Sequence, residues 1–174
     1  MAQNLTIGKL ALSHDPSNFD CDTEELNNFV RHYAMAGQRA STSQTYVALS
    51  GQEIIGYHTL VVGNVLYEDA PDRLTKGVPH HPSPVLLLAR LAVDRHWQGK
   101  GLGAALVADA LRRAIQVADI AGVRAVLVRA KDDAASRLYE HLGFEPFPGE
   151  PLVFYRLMKD LRSMLSWSLG TSSY

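Results

Sequence analysis

Thirteen residues near the middle of the chain carry the clearest chemistry: Leu91-Ala92-Val93-Asp94-Arg95-His96-Trp97-Gln98-Gly99-Lys100-Gly101-Leu102-Gly103. An apolar strand runs through a short loop into three glycines at alternate positions that open a helix. Without Cβ atoms the backbone lies open to close approach by a ligand. Amides at a helix N-terminus point outward with the positive end of the dipole behind them, which suits a pyrophosphate. Lys100 and Arg95 add charge. Three other readings compete. A Walker loop needs Ser or Thr after Gly-Lys, and here Gly99-Lys100 is followed by Gly101. A dinucleotide fingerprint is formally met by Gly99-x-Gly101-x-x-Ala104, with Asp119 further on. Yet five residues separate Val93 from Gly99, where a Rossmann turn follows its strand directly, and Asp119 falls at a helix end. In the third reading the glycines merely let helix and strand pack closely.

Tyr139 is one of seven tyrosines and sits on a short amphipathic stretch. A phenol with a pKa of about 10 stays protonated at neutral pH and can therefore donate a proton. Its competing reading is a packing tyrosine beside Leu138 and Leu142. Glu140 and His141 flank it on other helix faces, so no general base emerges. Cys21 is the one cysteine and has no paired base in the sequence. The seven histidines lack ligand spacing, and His80-His81 reads as a surface pair between prolines, so no metal is expected.

The elements that must position these residues follow from periodicity. Leu5 to Leu12 reads as a first strand. Asp22-Thr23-Glu24-Glu25 reads as a capping box with Asp22 as N-cap. Behind it Leu26, Phe29, Val30, Tyr33, Ala34 and Gly37 predict an amphipathic helix of about four turns. Tyr46–Leu49 and Ile54–Val62 flank Ser50-Gly51-Gln52 as a hairpin. Glu68 to Pro84, rich in proline, is a long connection of the kind that is functional or mobile, with a short turn at Asp72 to Lys76. Val85–Val93 is nearly continuous in apolar residues and predicts a central strand covered on both faces. Gly101–Asp119 is the longest helix, with Asp109, Arg112, Arg113, Gln116 and Asp119 as its polar stripe. A strand at Val123–Ala130, a helix at Asp133–Leu142 stopped by Gly143, a strand at Leu152–Met158 and a helix at Lys159–Trp167 complete the chain. Helices alternating with strands, after a hairpin, predict an α/β fold with a mixed central sheet and flanking helices.

At 174 residues and 47% hydrophobic composition the chain reads as one domain, residues 1–174, with core enough to need no disulfide or metal. The start, Met1-Ala2-Gln3-Asn4, lacks the basic and apolar regions of a secretory signal. The longest aliphatic run, Val85–Ala89, ends at Arg90, far short of the roughly 20 residues of a membrane span. A cytoplasmic chain with no membrane contact is expected. The net charge of −1 speaks against a protein that simply coats nucleic acid. Its distribution is uneven: residues 85–140 hold nine basic and six acidic groups, residues 1–84 five and nine. A local positive field attractive to a phosphate-rich partner follows, unless these arginines are ordinary solvated faces.

Gln98-x-x-Gly101-x-Gly103 resembles the pyrophosphate motif of the GNAT acetyltransferase superfamily. Ala134-Ala135-Ser136-Arg137-Leu138-Tyr139-Glu140-His141-Leu142-Gly143-Phe144 is similar to the GNAT helix that ends in a tyrosine, three residues and Gly-Phe. More narrowly, Leu88-Ala89-Arg90-Leu91-Ala92-Val93-Asp94, Ala130-Lys131-Asp132-Asp133-Ala134-Ala135, Phe19-Asp20-Cys21 and Thr75-Lys76-Gly77-x-Pro79 resemble the GNAT toxins of bacterial toxin–antitoxin pairs. One departure lies at Arg39-Ala40-Ser41-Thr42-Ser43-Gln44-Thr45, where that group is often more basic. The resemblance implies a GNAT fold and an acetyl-CoA-dependent N-acetyltransferase, with acetyl-CoA as co-substrate. Its pantetheine would lie along Leu91-Ala92-Val93, a Leu91 or Val93 N–H would polarise the thioester, and Gln98, Gly99, Lys100, Gly101, Leu102 and Gly103 would hold the pyrophosphate. Tyr139 would be the general acid. The implied substrate is aminoacyl-tRNA, acetylated on its α-amine to stop translation, with Arg39, Arg90 and Arg95 on RNA phosphate. A ribbon-helix-helix antitoxin and a homodimer are implied partners. The alternative is a housekeeping GNAT acting on a small amine or a protein N-terminus.

Overall fold

The computed structural model describes residues 5–170, with side chains through residue 164. Seven strands form a sheet in the order β1-β2-β3-β4-β5-β7-β6: β1 Ile7–Lys9, β2 Gln44–Ser50, β3 Glu53–Val65, β4 Ser83–Val93, β5 Ala125–Arg129, β6 Glu145–Pro146 and β7 Val153–Leu157. Contacts divide the chain into two compact units, Met1–Val61 with Leu88–Ala110, and Val62–Leu87 with Leu111–Tyr174. Strands β3 and β4 contribute to both.

In the first unit β1, β2 and β3 are antiparallel neighbours, and β2 meets β3 through a two-residue turn at Gly51 and Gln52, with Ser50 opposite Glu53. Gly51 has φ +63, the left-handed conformation that such a turn needs. One sheet face is covered by a helical segment built from α1 (Glu24–Asn28), a π-helical stretch at Phe29–Tyr33 and α2 (Ala34–Arg39). Phe19, Phe29, Val30, Ala34, Tyr57 and Ala92 pack there. The other face carries the first turns of α4 (Leu102–Ile120), where Leu102 and Leu106 bury against Ala48 and Ile55.

In the second unit β7 pairs antiparallel with both β5 and β6. Arg124 N–H donates to Pro84 C=O at 2.8 Å, so the start of β5 lies beside the start of β4. Two neighbouring strands that begin together and are joined through a helix run parallel. The sheet is therefore mixed, with flanking helices, as expected. The helices here are α3 (Asp72–Thr75), α5 (Asp133–His141) and α6 (Met158–Gly170). Among the described residues no helix is long and apolar enough to cross a membrane.

Four expectations are corrected. Asp22 is not the N-cap of α1: it lies at φ +64, and Thr23 takes the cap position without a side-chain hydrogen bond. The predicted helix is interrupted by its π stretch, whose wider turn puts Tyr33 out of phase with Phe29 and Val30 and leaves it 64% exposed. Strand β4 is not covered on both faces throughout, because Ala89 at its centre is exposed. Asp109 does not belong to the polar stripe; it is buried. The long connection carries α3 and a 3-10 turn at Tyr67–Asp69, with Leu74 fully buried in the core of the second unit.

Candidate functional site

The glycine loop belongs wholly to the first unit. Strand β4 ends at Val93, and the chain turns through a short 3-10 helix at Arg95–Trp97. Asp94 caps that turn: its Oδ1 accepts His96 N–H at 2.9 Å. Gln98 Nε2 donates to Val93 C=O at 2.9 Å and closes the loop onto the strand end. Gly99 and Gly101 have φ +73 and +84, where an L side chain is strained, and a Cβ at either would meet nothing within 4 Å. Conformation demands glycine here, and the backbone is left uncovered. Ala105 N–H donates to Gly101 C=O at 3.1 Å, the first bond of α4. The N–H groups of Leu102, Gly103 and Ala104 therefore have no acceptor inside the helix. With the helix dipole behind them they suit an anion. Lys100 Nζ stands 5.2 Å from the Trp97 ring centre, a cation–π contact that holds its ammonium at the loop. Leu91 and Val93 are half-buried against Leu102 and Leu106, whereas Ala92 faces the opposite core.

Two features that seat α4 escaped the sequence reading. A Cβ on Gly56 of β3 would come within 3.0 Å of Leu106 Cδ1 and 3.2 Å of Leu102 Cδ2, so the helix start rests directly on the strand. Further along α4, Asp109 Oδ2 lies 2.7 Å from His58 Nε2, and the His58 side chain is fully buried. A histidine amid Ile54, Ile55, Tyr57 and Leu60 was the available signal. In so apolar a strand, a buried polar side chain calls for a partner.

The three arginines assigned to phosphate have separate settings. Arg90 Cζ sits 3.9 Å over the Phe29 ring, half-buried. Arg95 is exposed, its Nε 3.7 Å from Asp20 Oδ2. Arg39 is exposed in the last turn of α2.

Tyr139 belongs to the second unit, as the buried residue of α5. Asp132 caps that helix by accepting Ala135 N–H at 2.8 Å. Its other end closes with Gly143 at φ +89, and the buried Arg156 of β7 donates to Leu142 C=O. A Cβ on Gly143 would lie 2.9 Å from Cζ at the movable end of Arg156, so it is the positive φ that calls for glycine here. The Tyr139 ring meets Phe144 edge-on at 5.6 Å. Burial pushes its phenol up to about 12, so the group is protonated throughout the neutral range.

Residues 41–146, a span that includes the glycine loop and Tyr139, match the family model described as "Acetyltransferase (GNAT) domain". The chain belongs to the GNAT acetyltransferase family. Among its relatives this GNAT chain is 38% identical over 157 residues to a "tRNA-acetylating toxin" of Mycobacterium tuberculosis, covering 90% of this chain and 94% of that one. Among solved structures it resembles AtaT complexed with acetyl-methionyl-tRNAfMet, at a TM-score of 0.87 and 28% identity over 93% of this chain and 99% of the other. It also resembles a mutant AtaT toxin bound to the C-terminus of the antitoxin AtaR and acetyl-CoA, at 0.80 and 26% over 94% and 99%.

Proposed function

We propose that this GNAT chain, a single domain, transfers acetyl from acetyl-CoA to the α-amine of aminoacyl-tRNA and so stops translation. The observation that carries the reading is the 38% identity to a tRNA-acetylating toxin along nine-tenths of the chain. The open backbone at Gly99 and Gly101, ahead of a helix start, supports it as a place for the donor's pyrophosphate. We assign Gln98, Gly99, Lys100, Gly101, Leu102 and Gly103 to that group, and Leu91-Ala92-Val93 to the pantetheine, with a Leu91 or Val93 N–H on the thioester oxygen as it becomes an oxyanion.

In the reaction the neutral amine attacks the thioester carbon, a C–N bond forms and the C–S bond breaks. An α-amine of pKa about 8 is already roughly 10% neutral at pH 7, so water suffices as the base. The leaving thiolate needs a proton donor, and we assign Tyr139. With a phenol raised to about 12, complete transfer to a thiolate of conjugate-acid pKa near 8.5 is uphill by roughly 5 kcal/mol. Tyr139 therefore acts by holding the developing thiolate with a strong hydrogen bond, while the nitrogen, cationic once the C–N bond has formed, gives up its proton through water to the sulfur. The net proton moves from nitrogen to sulfur, and Tyr139 ends neutral.

Arg39, Arg90 and Arg95 are assigned to RNA phosphate. A ribbon-helix-helix antitoxin, a homodimeric state and a cytoplasmic setting complete the proposal. Incubation with labelled acetyl-CoA and total charged tRNA tests it: label is expected on the α-amine of aminoacyl-tRNA. Label on free amines or protein N-termini alone would overturn the assignment.

A further inference from the structure

Phe19-Asp20-Cys21 has no task in the chemistry above, and Asp20 precedes Asp94 by 74 residues. Yet it is bonded to the entrance of the glycine loop through both groups of its backbone. Asp20 N–H donates to Asp94 Oδ2 at 3.1 Å, and Arg95 N–H donates to Asp20 C=O at 2.8 Å. Asp94 Oδ1 meanwhile accepts His96 N–H at 2.9 Å, with His96 Nδ1 3.0 Å away. One buried carboxylate thus grips two segments of chain. Burial works to raise its pKa, but the His96 and Asp20 N–H groups and the His96 ring outweigh that and hold it below the usual carboxylate range.

The Asp20 turn is itself gripped from behind. Asp20 Oδ1 accepts Asp22 N–H at 2.9 Å and Asn27 Nδ2 at 3.1 Å. Asn27 Oδ1 accepts Cys21 N–H at 2.9 Å, and Asn27 is 3% exposed. Asp22 is driven to φ +64, a conformation a non-glycine residue keeps only where its surroundings fix it. The loop needs such a holder, because a chain with glycines at 99, 101 and 103 loses much freedom when ordered.

We propose that the chain of contacts from Asn27 through Asp20 to Asp94 is a positioning device that sets the pyrophosphate loop, with Asn27 and Asp20 as positioning residues for the donor. This rests on the reading of that loop as the acetyl-CoA site. Asn27 and Asp20 act through Asp94, so they govern donor affinity and leave bond-making alone.

The test measures acetyl-CoA affinity by calorimetry. It also measures turnover on charged tRNA with acetyl-CoA and with acetyl-pantetheine, which has the same thioester but no pyrophosphate. Asp20→Ala is expected to weaken acetyl-CoA binding about tenfold, the equivalent of one charge-assisted hydrogen bond. Its kcat at saturating acetyl-CoA and its turnover of acetyl-pantetheine should stay near wild type. Asp20→Asn keeps the Oδ1 acceptor and should restore binding. Asp94→Asn, which puts a donor where one of the N–H groups points, should repeat the loss. Unchanged affinity in Asp20→Ala, or equal falls with both donors, would overturn the positioning role. A wild-type chain that binds no acetyl-CoA would instead remove the donor reading itself, and this proposal with it.

Discussion

Tyr139 is 5% exposed against Phe144, and burial acts on a proton donor in two opposing ways. It fixes the hydroxyl and keeps it protonated, and it weakens the phenol as an acid. Tyr139→Phe keeps the ring and its packing and deletes the donor. We expect kcat and kcat/KM to fall together by about 10²–10⁴-fold, the usual worth of a general acid, with acetyl-CoA affinity and melting temperature nearly unchanged. A lowered melting temperature with a small rate change would mean that the tyrosine only packs. The raised pKa also sets a window at high pH. Above about pH 10 the unfolded chain releases this proton and the native one does not, so stability falls until pH passes about 12. The Tyr139 share of that loss is about 3 kcal/mol. Denaturant midpoints of wild type and Tyr139→Phe between pH 9 and 12 should differ in slope, with the wild type steeper. The open glycine loop was legible from residue type and spacing, and Tyr139 was singled out through the resemblance to the GNAT helix. The Asp20–Asp94 contact was not, because no local pattern marks a backbone N–H that meets a carboxylate 74 positions away.

At the scale of elements, sequence periodicity located the strands and helices well and misjudged their phase. The α1–α2 segment reads as one helix because Leu26, Phe29, Val30, Tyr33 and Ala34 recur at helical spacing. Periodicity cannot register a π turn, which takes up extra residues per turn without changing their types, and so Tyr33 was assigned inward. The capping box failed for a similar reason: Asp22-x-x-Glu25 has the right letters, but Asp20 and Asn27 claim the turn first. On α4, Asp109 was grouped with the exposed charged residues, although it is buried and meets His58 on β3. That pair gives a prediction about how the two elements are joined. Replacing only one partner, as in His58→Ala or Asp109→Ala, should cost about 3–5 kcal/mol by removing this buried polar contact. The double change His58→Leu with Asp109→Leu should recover most of that loss, because apolar packing substitutes for a buried pair. Denaturant titration of the three variants decides it; a double variant as weak as the singles would show that the pair's polarity is itself required.

Over the whole molecule, the −1 net charge conceals a basic middle, and the proposed RNA substrate makes that distribution measurable. Binding to tRNA should weaken with salt, and Arg39→Ala and Arg95→Ala should each lower the slope of log affinity against log salt by about one. Slopes unchanged in both variants would remove these residues from the RNA contact. The fold class followed from the order of strands and helices, but the state of the long connection did not. Prolines, charges and length suggested a loose segment. The fold instead buries Leu74, binds the Leu74 and Lys76 carbonyls to Arg124 at 2.9 and 3.1 Å, and ties Arg73 to Glu145 and Asp160. A serine protease must draw its target peptide into an extended strand, and here those carbonyls are already engaged by a guanidinium. The bonds after Arg73 and Lys76 should therefore survive trypsin in the native chain, although they lie in its most proline-rich stretch. Arg124→Ala should free the bond after Lys76, Arg73 staying held by Glu145 and Asp160, and yield fragments 1–76 and 77–174 in a timed digest read by mass spectrometry. Early cleavage of the wild type at Lys76 would show that the clasp opens readily in solution. Resistance would mean that the strap leading into β4 is, to a protease, as closed as the sheet itself.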